Sequence, residues 1–125
     1  MKRPCILVTD DEANIRMMLR TALESDGYDV LEASNGREAL DVIKQSAPDL
    51  MVLDLNMPVL DGLETVSKLR ELEGPGEQIP IVAITAFDVP GMEDAALETG
   101  CNRYLRKPLD LEELDRTLRS LGFVL

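Results

Sequence analysis

One stretch of the chain decides the fold: Leu50–Asp54, four apolar residues with the sequence LMVL followed by a carboxylate. An uninterrupted apolar run is typical of a strand that is covered on both faces, as in a parallel sheet. A second run, Cys5–Thr9, is also followed by acidic residues, Asp10 and Asp11. The two runs therefore predict buried strands that lead directly into carboxylates.

Segments with helical periodicity separate the strand-like runs. In the first of them, Glu12–Asp26, apolar residues recur at intervals of three and four, which places them on one helical face. Strict alternation of strands and helices predicts a parallel sheet with helices on both faces. The predicted strands are Cys5–Thr9, Tyr28–Ala33, Leu50–Leu53, Ile79–Ala86 and Arg103–Lys107. Three further helices are predicted to begin after the capping residues Asn35, Asp61 and Asp110. Another helix is predicted over Val89–Thr99, with Pro90 in its first turn, and Gly74–Gly76 is predicted as a loop.

The length and charge of the chain limit its function. Its 125 residues suit a single domain over residues 1–125, and the 45% hydrophobic content favours a globular fold. With 24 acidic and 13 basic residues the net charge is −11, which argues against direct binding of nucleic acid. No apolar run reaches the roughly 20 residues of a membrane span, and the N-terminal run is too short for a secretory signal. We therefore expect a cytoplasmic protein that does not bind membranes.

Four of the five predicted strands have polar residues at their carboxyl ends. Asp10 and Asp11 follow the first strand and Asp54 the third, while Thr85 and Lys107 lie near the ends of the fourth and fifth. In open parallel α/β sheets, ligands bind outside the carboxyl ends of the strands. Taken singly, each residue has an ordinary explanation as a helix cap, a strand residue or a surface charge. Taken together, they indicate a binding site at one edge of the sheet.

A cluster of three carboxylates requires a cation. At a separation of about 5 Å and an effective dielectric constant of about 20, each pair of like charges costs roughly 3 kcal/mol. The chain contains no histidine, and its oxygen ligands favour a hard cation such as Mg²⁺, with Mn²⁺ as an alternative. Lys107 would supply a positive charge for a phosphate, and an aspartate beside Mg²⁺ can act as a nucleophile on phosphorus.

Four motifs between Ile6 and Leu121 resemble one known family. They are Val8-Thr9-Asp10-Asp11-Glu12, Leu53-Asp54-Leu55-Asn56-Met57-Pro58-Val59-Leu60-Asp61-Gly62, Ile84-Thr85-Ala86 and Tyr104-Leu105-Arg106-Lys107-Pro108. They are similar to the motifs of the receiver domain of two-component response regulators, the family of the chemotaxis response regulator. This resemblance implies a flavodoxin-like, doubly wound sheet of five parallel strands in the order 2-1-3-4-5, with five helices.

The resemblance also implies a role for each residue of the site. Asp54 would be the phosphorylated residue. Asp11 and Asp54 would bind Mg²⁺ through their side chains, Asn56 through its backbone carbonyl, and Asp10 mainly through a metal-bound water. Lys107, Thr85 and the backbone of Ala86 would contact the phosphate, Thr85 and Tyr104 would form the switch, and the Lys107–Pro108 bond would be cis.

The implied phosphodonor is a sensor histidine kinase or a histidine phosphotransfer protein. Phosphorylation would change the binding of an unidentified downstream protein at the face formed by the fourth helix, fifth strand and fifth helix. Only self-phosphorylation and self-dephosphorylation are expected, so we do not class the domain as an enzyme. Two alternatives stay open: a degenerate receiver that acts without phosphorylation, and an Mg²⁺-dependent aspartyl phosphatase. The phosphatase would need a general acid two residues after its nucleophile, where this chain has Asn56.

Overall fold

Five strands alternate with five helices in residues 3–57, 61–72 and 78–124, which the computed structural model describes. The strands are β1 (Cys5–Thr9), β2 (Asp29–Ala33), β3 (Leu50–Asp54), β4 (Ile81–Thr85) and β5 (Arg103–Arg106). The helices are α1 (Ala13–Ser25), α2 (Gly36–Ser46), α3 (Gly62–Glu71), α4 (Met92–Thr99) and α5 (Leu111–Ser120). All strand pairs are parallel and the order is β2-β1-β3-β4-β5, which confirms the predicted flavodoxin-like fold.

The two faces of the sheet belong to two separate hydrophobic cores. Strand β3 shows the division: Met51 and Leu53 face the core that includes residues of α2, α3 and α4, whereas Leu50 and Val52 face the core of α1 and α5. Every residue of β3 is buried, as expected for a strand with helices on both sides. The uninterrupted apolar run therefore reflects burial on both faces.

The register of the strands aligns their carboxyl ends. Thr9 of β1 lies opposite Leu53 of β3, so the residues that follow, Asp10 and Asp54, are at the same level of the sheet. Thr85 of β4 lies opposite Arg106 of β5, so Lys107 begins the loop just beyond. Four predicted site residues consequently lie at the carboxyl ends of neighbouring strands: Asp10, Asp54, Thr85 and Lys107.

The three predicted capping residues begin their helices. Asn35 Oδ1 accepts a hydrogen bond of 2.9 Å from the backbone N–H of Glu38, and Asp61 Oδ1 accepts one of 2.8 Å from that of Glu64. Asp110 Oδ1 likewise accepts from the backbone N–H of Glu112, at 2.9 Å. These bonds satisfy backbone donors that have no partner within the first turn of a helix.

Several predicted boundaries were wrong by one to three residues. Strand β4 begins at Ile81 and not at Ile79, because the intervening Pro80 has no backbone N–H to donate to the sheet. Helix α4 begins at Met92 and not at Val89, so Pro90 lies outside it. Strand β2 begins one residue later than predicted, and β5 ends one residue earlier. The predicted loop Gly74–Gly76 and the motif residues 58–60 lie outside the described residues.

No helix in the described part of the chain is long and apolar enough to cross a membrane.

Candidate functional site

Asp10 is the first acidic residue after strand β1. It is fully buried, and its backbone N–H donates a hydrogen bond of 3.2 Å to the carbonyl of Ala33, at the end of β2. Its Oδ1 accepts from the backbone N–H of Glu12 at 2.9 Å. The other carboxylate oxygen, Oδ2, is buried without a hydrogen-bond donor of good geometry. Asp10 is thus held by two backbone contacts, while its Oδ2 is left to an ion pair.

Lys107 places its ammonium between the acidic residues. Its Nζ lies 2.9 Å from Asp10 Oδ2, 3.4 Å from Asp54 Oδ2 and 3.7 Å from Glu12 Oε1. The backbone N–H of Lys107 donates a hydrogen bond of 2.8 Å to the carbonyl of Thr85, which anchors the start of this loop to β4. The Lys107–Pro108 peptide bond is cis. A single cation therefore partly neutralises acids that follow two different strands.

Asp54 is a buried carboxylate with a perturbed acidity. Burial, and to a smaller extent the charge of Asp10, raise the pKa of Asp54 to about 6. The backbone N–H of Asn56, which donates to Asp54 Oδ1 at 3.0 Å, and the ammonium of Lys107 oppose this rise. Burial lowers the pKa of Lys107, but its contacts with Asp10 and Asp54 outweigh burial and raise it overall. At neutral pH the site therefore holds an ionised Asp54 beside a protonated Lys107.

The acidic loop after β1 can accept a hard cation. One carboxylate oxygen from each of Asp10, Asp11 and Glu12 lies within 4.8 Å of the others. The buried Oδ2 of Asp10 has no hydrogen bond of good geometry besides its ion pair with Lys107, so a cation or its bound water would add a partner there. An all-oxygen set of this kind fits Mg²⁺. Asp54 lies outside this group of three, and Lys107 connects it to Asp10.

Glu12 takes part in this cluster although the sequence analysis named it only as part of a motif. The signal was present, since Glu12 is the third of three consecutive acidic residues. Its side chain is 63% exposed, so it lies on the solvent side of the cluster. The residue that follows Asp10 and Asp11 in the chain therefore adds a carboxylate to the mouth of the site.

The remaining site residues lie on β4, β5 and the loop after β4. Thr85 is buried, and its Oγ1 accepts a hydrogen bond of 3.0 Å from the backbone N–H of Phe87. Tyr104 is 8% exposed, and its hydroxyl donates a hydrogen bond of 2.7 Å to Asp88 Oδ1. Arg106 forms an ion pair with the same carboxylate and lies over the Tyr104 ring, 5.4 Å from its centre. The contacts of Asp88 and Arg106 were not predicted.

Known proteins match this chain in both sequence and fold. The family model described as response regulator receiver domain matches residues 6–119 of this chain. The chain belongs to the response regulator receiver domain family. The resemblance seen in the four sequence motifs is therefore confirmed, and the chain is a receiver domain of a two-component response regulator.

Several curated relatives of this receiver domain are response regulators. Response regulator MprA of Mycolicibacterium vanbaalenii is 46% identical over 116 residues, which are 93% of this chain and 49% of the relative. The MprA protein of Mycobacterium tuberculosis matches with the same identity and coverage. The chain thus spans about half the length of the curated relatives it matches.

Solved receiver structures superpose on this receiver domain over nearly its whole length. The chemotaxis protein CheY4 of Vibrio cholerae has a TM-score of 0.88 at 32% identity, covering 95% of this chain and 98% of that one. The receiver domain of the Francisella response regulator 1452 has a TM-score of 0.86 at 32% identity, with coverage of 95% and 96%. The topology therefore belongs to a known signalling fold.

Proposed function

We propose that this receiver domain, one unit over residues 1–125, is a switch that accepts a phosphoryl group on Asp54. The donor would be the phosphohistidine of a sensor histidine kinase or of a histidine phosphotransfer protein. One observation carries the proposal: Asp54 Oδ2 is buried, 3.4 Å from the ammonium of Lys107, which also faces Asp10 at 2.9 Å. This arrangement combines a nucleophile with a counter-charge for a phosphate.

The acids of the site would hold the metal. Asp11 and Asp54 would bind Mg²⁺, or Mn²⁺ in its place, through their side chains and Asn56 through its backbone carbonyl, while Asp10 would act through a bound water. When bound, the ion supplies neutralisation of charge on the phosphoryl oxygens. The carboxylate oxygens of Asp10, Asp11 and Glu12, within 4.8 Å of one another, support a cation at the loop after β1. Asp54 and Asn56 come from the neighbouring strand β3 and the loop after it.

In the proposed transfer, an oxygen of Asp54 attacks phosphorus while the bond from phosphorus to the imidazole nitrogen breaks. The electron pair of that bond stays on the imidazole, and a phosphate–carboxylate bond forms. A pKa of about 6 leaves Asp54 mostly ionised at neutral pH, which is the nucleophilic form. The ammonium of Lys107 would pair with the anionic phosphoryl oxygens.

Phosphorylation would change the contacts of the switch residues. The phosphoryl group adds roughly one negative charge and new acceptor oxygens. The hydroxyl of Thr85 and the backbone N–H of Ala86 would donate to them, and Tyr104 would change its position in response. Such differential contacts shift an existing equilibrium between two conformations.

The proposed readout is the binding of a downstream protein at the surface formed by α4, β5 and α5. We propose that this exchange takes place in the cytoplasm, without direct contact with nucleic acid or membrane. The only chemistry proposed for the domain itself is gain and loss of its own phosphoryl group.

The direct test is phosphorylation with acetyl phosphate and Mg²⁺, followed by intact-protein mass spectrometry. We expect a gain of about 80 Da that EDTA prevents and that Asp54→Asn abolishes. The variant Asp41→Asn, at an exposed position on α2, should still be phosphorylated. Modification that persists in Asp54→Asn would contradict the proposal, and absence of modification in the wild type would favour a phosphorylation-independent module.

A further inference from the structure

We propose that Arg16 is a positioning residue that holds the loop Asp10–Asp11 in the geometry required for binding a divalent cation. The inference rests on the proposed function, because it assumes that this loop binds Mg²⁺. In the described contacts, Arg16 touches neither the carboxylates of Asp10, Asp11 and Glu12 nor Asp54. Its effect is exerted through the backbone of Asp10.

The side chain of Arg16 makes two contacts, each through a different nitrogen of its guanidinium group. One terminal guanidinium nitrogen donates a hydrogen bond of 2.7 Å to the backbone carbonyl of Asp10. Nε donates one of 3.1 Å to Oε1 of Glu32 on β2. The side chain is 19% exposed, and both bonds are partly buried. Arg16 thus connects the acidic loop to the neighbouring strand.

Within the described contacts, Arg16 is the residue that holds the peptide group between Asp10 and Asp11, through the Asp10 carbonyl. The backbone N–H of Asp10 is held by Ala33, and its Oδ1 is held by the backbone N–H of Glu12. Those two bonds hold the preceding peptide group and the side chain of Asp10, whereas the bond from Arg16 holds the peptide group that leads into Asp11. In the described part of the chain, the exposed side chain of Asp11 has no hydrogen bond or ion pair of its own. Its direction therefore depends on the peptide group that Arg16 holds.

Charge and geometry predict opposite effects of removing Arg16. A guanidinium near a cation site repels the cation, so removal of its charge alone would tighten Mg²⁺ binding. Loss of a residue that orients a metal-binding group weakens binding instead, typically by 10–100-fold. The sign of the change in affinity thus separates a positioning role from a purely electrostatic one.

Arg20 provides a matched control on the same helix. It also forms an ion pair with Glu32, and it donates a hydrogen bond of 3.2 Å to the backbone carbonyl of Val30. None of its bonds reaches Asp10. Replacing Arg20 therefore removes a like charge from the same cluster without releasing the acidic loop.

The experiment measures the dissociation constant of Mg²⁺ by titration calorimetry for the wild type, Arg16→Gln, Arg16→Lys and Arg20→Gln. We expect Arg16→Gln to bind Mg²⁺ about tenfold more weakly, and Arg20→Gln to bind as tightly as the wild type or more tightly. Arg16→Lys should also bind more weakly, because one ammonium cannot span both Asp10 and Glu32 as two nitrogens do. Circular dichroism in EDTA checks that each variant is folded.

Three results would overturn the inference while leaving the proposed function intact: unchanged or tighter binding by Arg16→Gln, full affinity in Arg16→Lys, or equal weakening in Arg20→Gln. If Arg16→Gln does not fold, Arg16→Lys decides. A wild-type protein that neither binds Mg²⁺ nor accepts a phosphoryl group would instead contradict the proposed function.

Discussion

The carboxylate of Asp54 has a cost in stability that depends on pH. The side chain is almost completely buried, and burial raises its pKa from 3.8 to about 6. Because the folded value is above the unfolded one, the folded state binds more protons between these two pKa values. Stability therefore falls as pH rises through this range, and the loss persists at neutral pH. Each pKa unit corresponds to about 1.4 kcal/mol.

We predict that Asp54→Asn raises the free energy of unfolding in EDTA at about pH 7 by on the order of 2 kcal/mol. At about pH 4 the gain should be much smaller, because the folded wild type is then protonated at Asp54. Urea unfolding at both pH values checks this. Asp41→Asn, exposed on α2, should change stability little at either pH. The same gain at both pH values would show that the ionised carboxylate is not the cause.

The individual site residues were predictable to different degrees. Asp10, Asp54 and Lys107 follow strands, which is a local feature that the sequence shows directly. The position of the Lys107 ammonium between the two acids depends on segments that are about 50 and 100 residues apart in the chain and meet only in the folded sheet. The bond from Arg16 to the Asp10 carbonyl involves a backbone atom, which no side-chain pattern reveals.

At the level of elements, the start of α4 was predicted wrongly for a local reason. Pro90 is a residue type common in the first turn of a helix, which favoured a start at Val89. The chain instead passes through Gly91 with a φ of 87°, a left-handed conformation, and the helix begins at Met92. Glycine adopts this conformation without a steric penalty. The left-handed conformation of Gly91 therefore places the start of α4 three positions later than predicted.

Gly91→Ala should destabilise the domain by about 1 kcal/mol, through backbone strain alone. A Cβ at this position would meet no atom within 4 Å, so no clash adds to the cost. Gly91→Asn should cost less, because asparagine tolerates the left-handed region better than alanine does. Urea unfolding of both variants measures the difference. Equal stability of the alanine variant and the wild type would mean that the loop relaxes to another conformation.

Strand β5 is coupled to the loop before α4 by Tyr104 and Asp88. Burial raises the pKa of Tyr104 to about 12, and the hydrogen bond to Asp88 adds to this effect. We predict that Asp88→Asn lowers the pKa of Tyr104 while leaving it above the ordinary value, since burial remains. Titration of the tyrosinate absorbance measures it, and the absence of tryptophan keeps the signal clear.

The second tyrosine, Tyr28, also has a raised pKa, mainly because of burial, so the two titrations must be assigned. Tyr104→Phe serves this purpose, because it removes one transition and leaves that of Tyr28. If Asp88→Asn leaves the Tyr104 transition where it is in the wild type, the hydrogen bond does not persist in solution. That result would remove the physical connection between β5 and the loop after β4.

On the scale of the whole molecule, hydrophobic pattern and charge were informative in different ways. The alternation of apolar runs and helical stripes predicted five strands and five helices, because each pattern reflects burial of a whole element. The order of the strands came from the family resemblance, since periodicity does not specify which strands pair. The net charge of −11 argued against nucleic acid as a direct partner. It could not locate the site, which required the positions of individual acids.

Lys107 follows the edge strand β5 and forms ion pairs with two acids of interior strands. These are Asp10, directly after β1, and Asp54, the last residue of β3. Lys107→Met keeps the length of the side chain but leaves Asp10 and Asp54 without this counter-charge. Removing one partner of a buried ion pair costs about 3–5 kcal/mol, so we predict a loss of about 3 kcal/mol in EDTA. Mg²⁺ should restore part of it, because binding to the folded state alone stabilises that state.

Thermal and urea unfolding of Lys107→Met, with and without Mg²⁺, test this prediction against Lys68→Met, an exposed position on α3. The control should lose little stability and gain from Mg²⁺ as much as the wild type does. The stabilisation by Mg²⁺ should be larger in Lys107→Met than in the wild type, because the ion no longer competes with an ammonium for the same carboxylates. An equal or smaller gain would mean that the cation and Lys107 do not share the charge of Asp10 and Asp54.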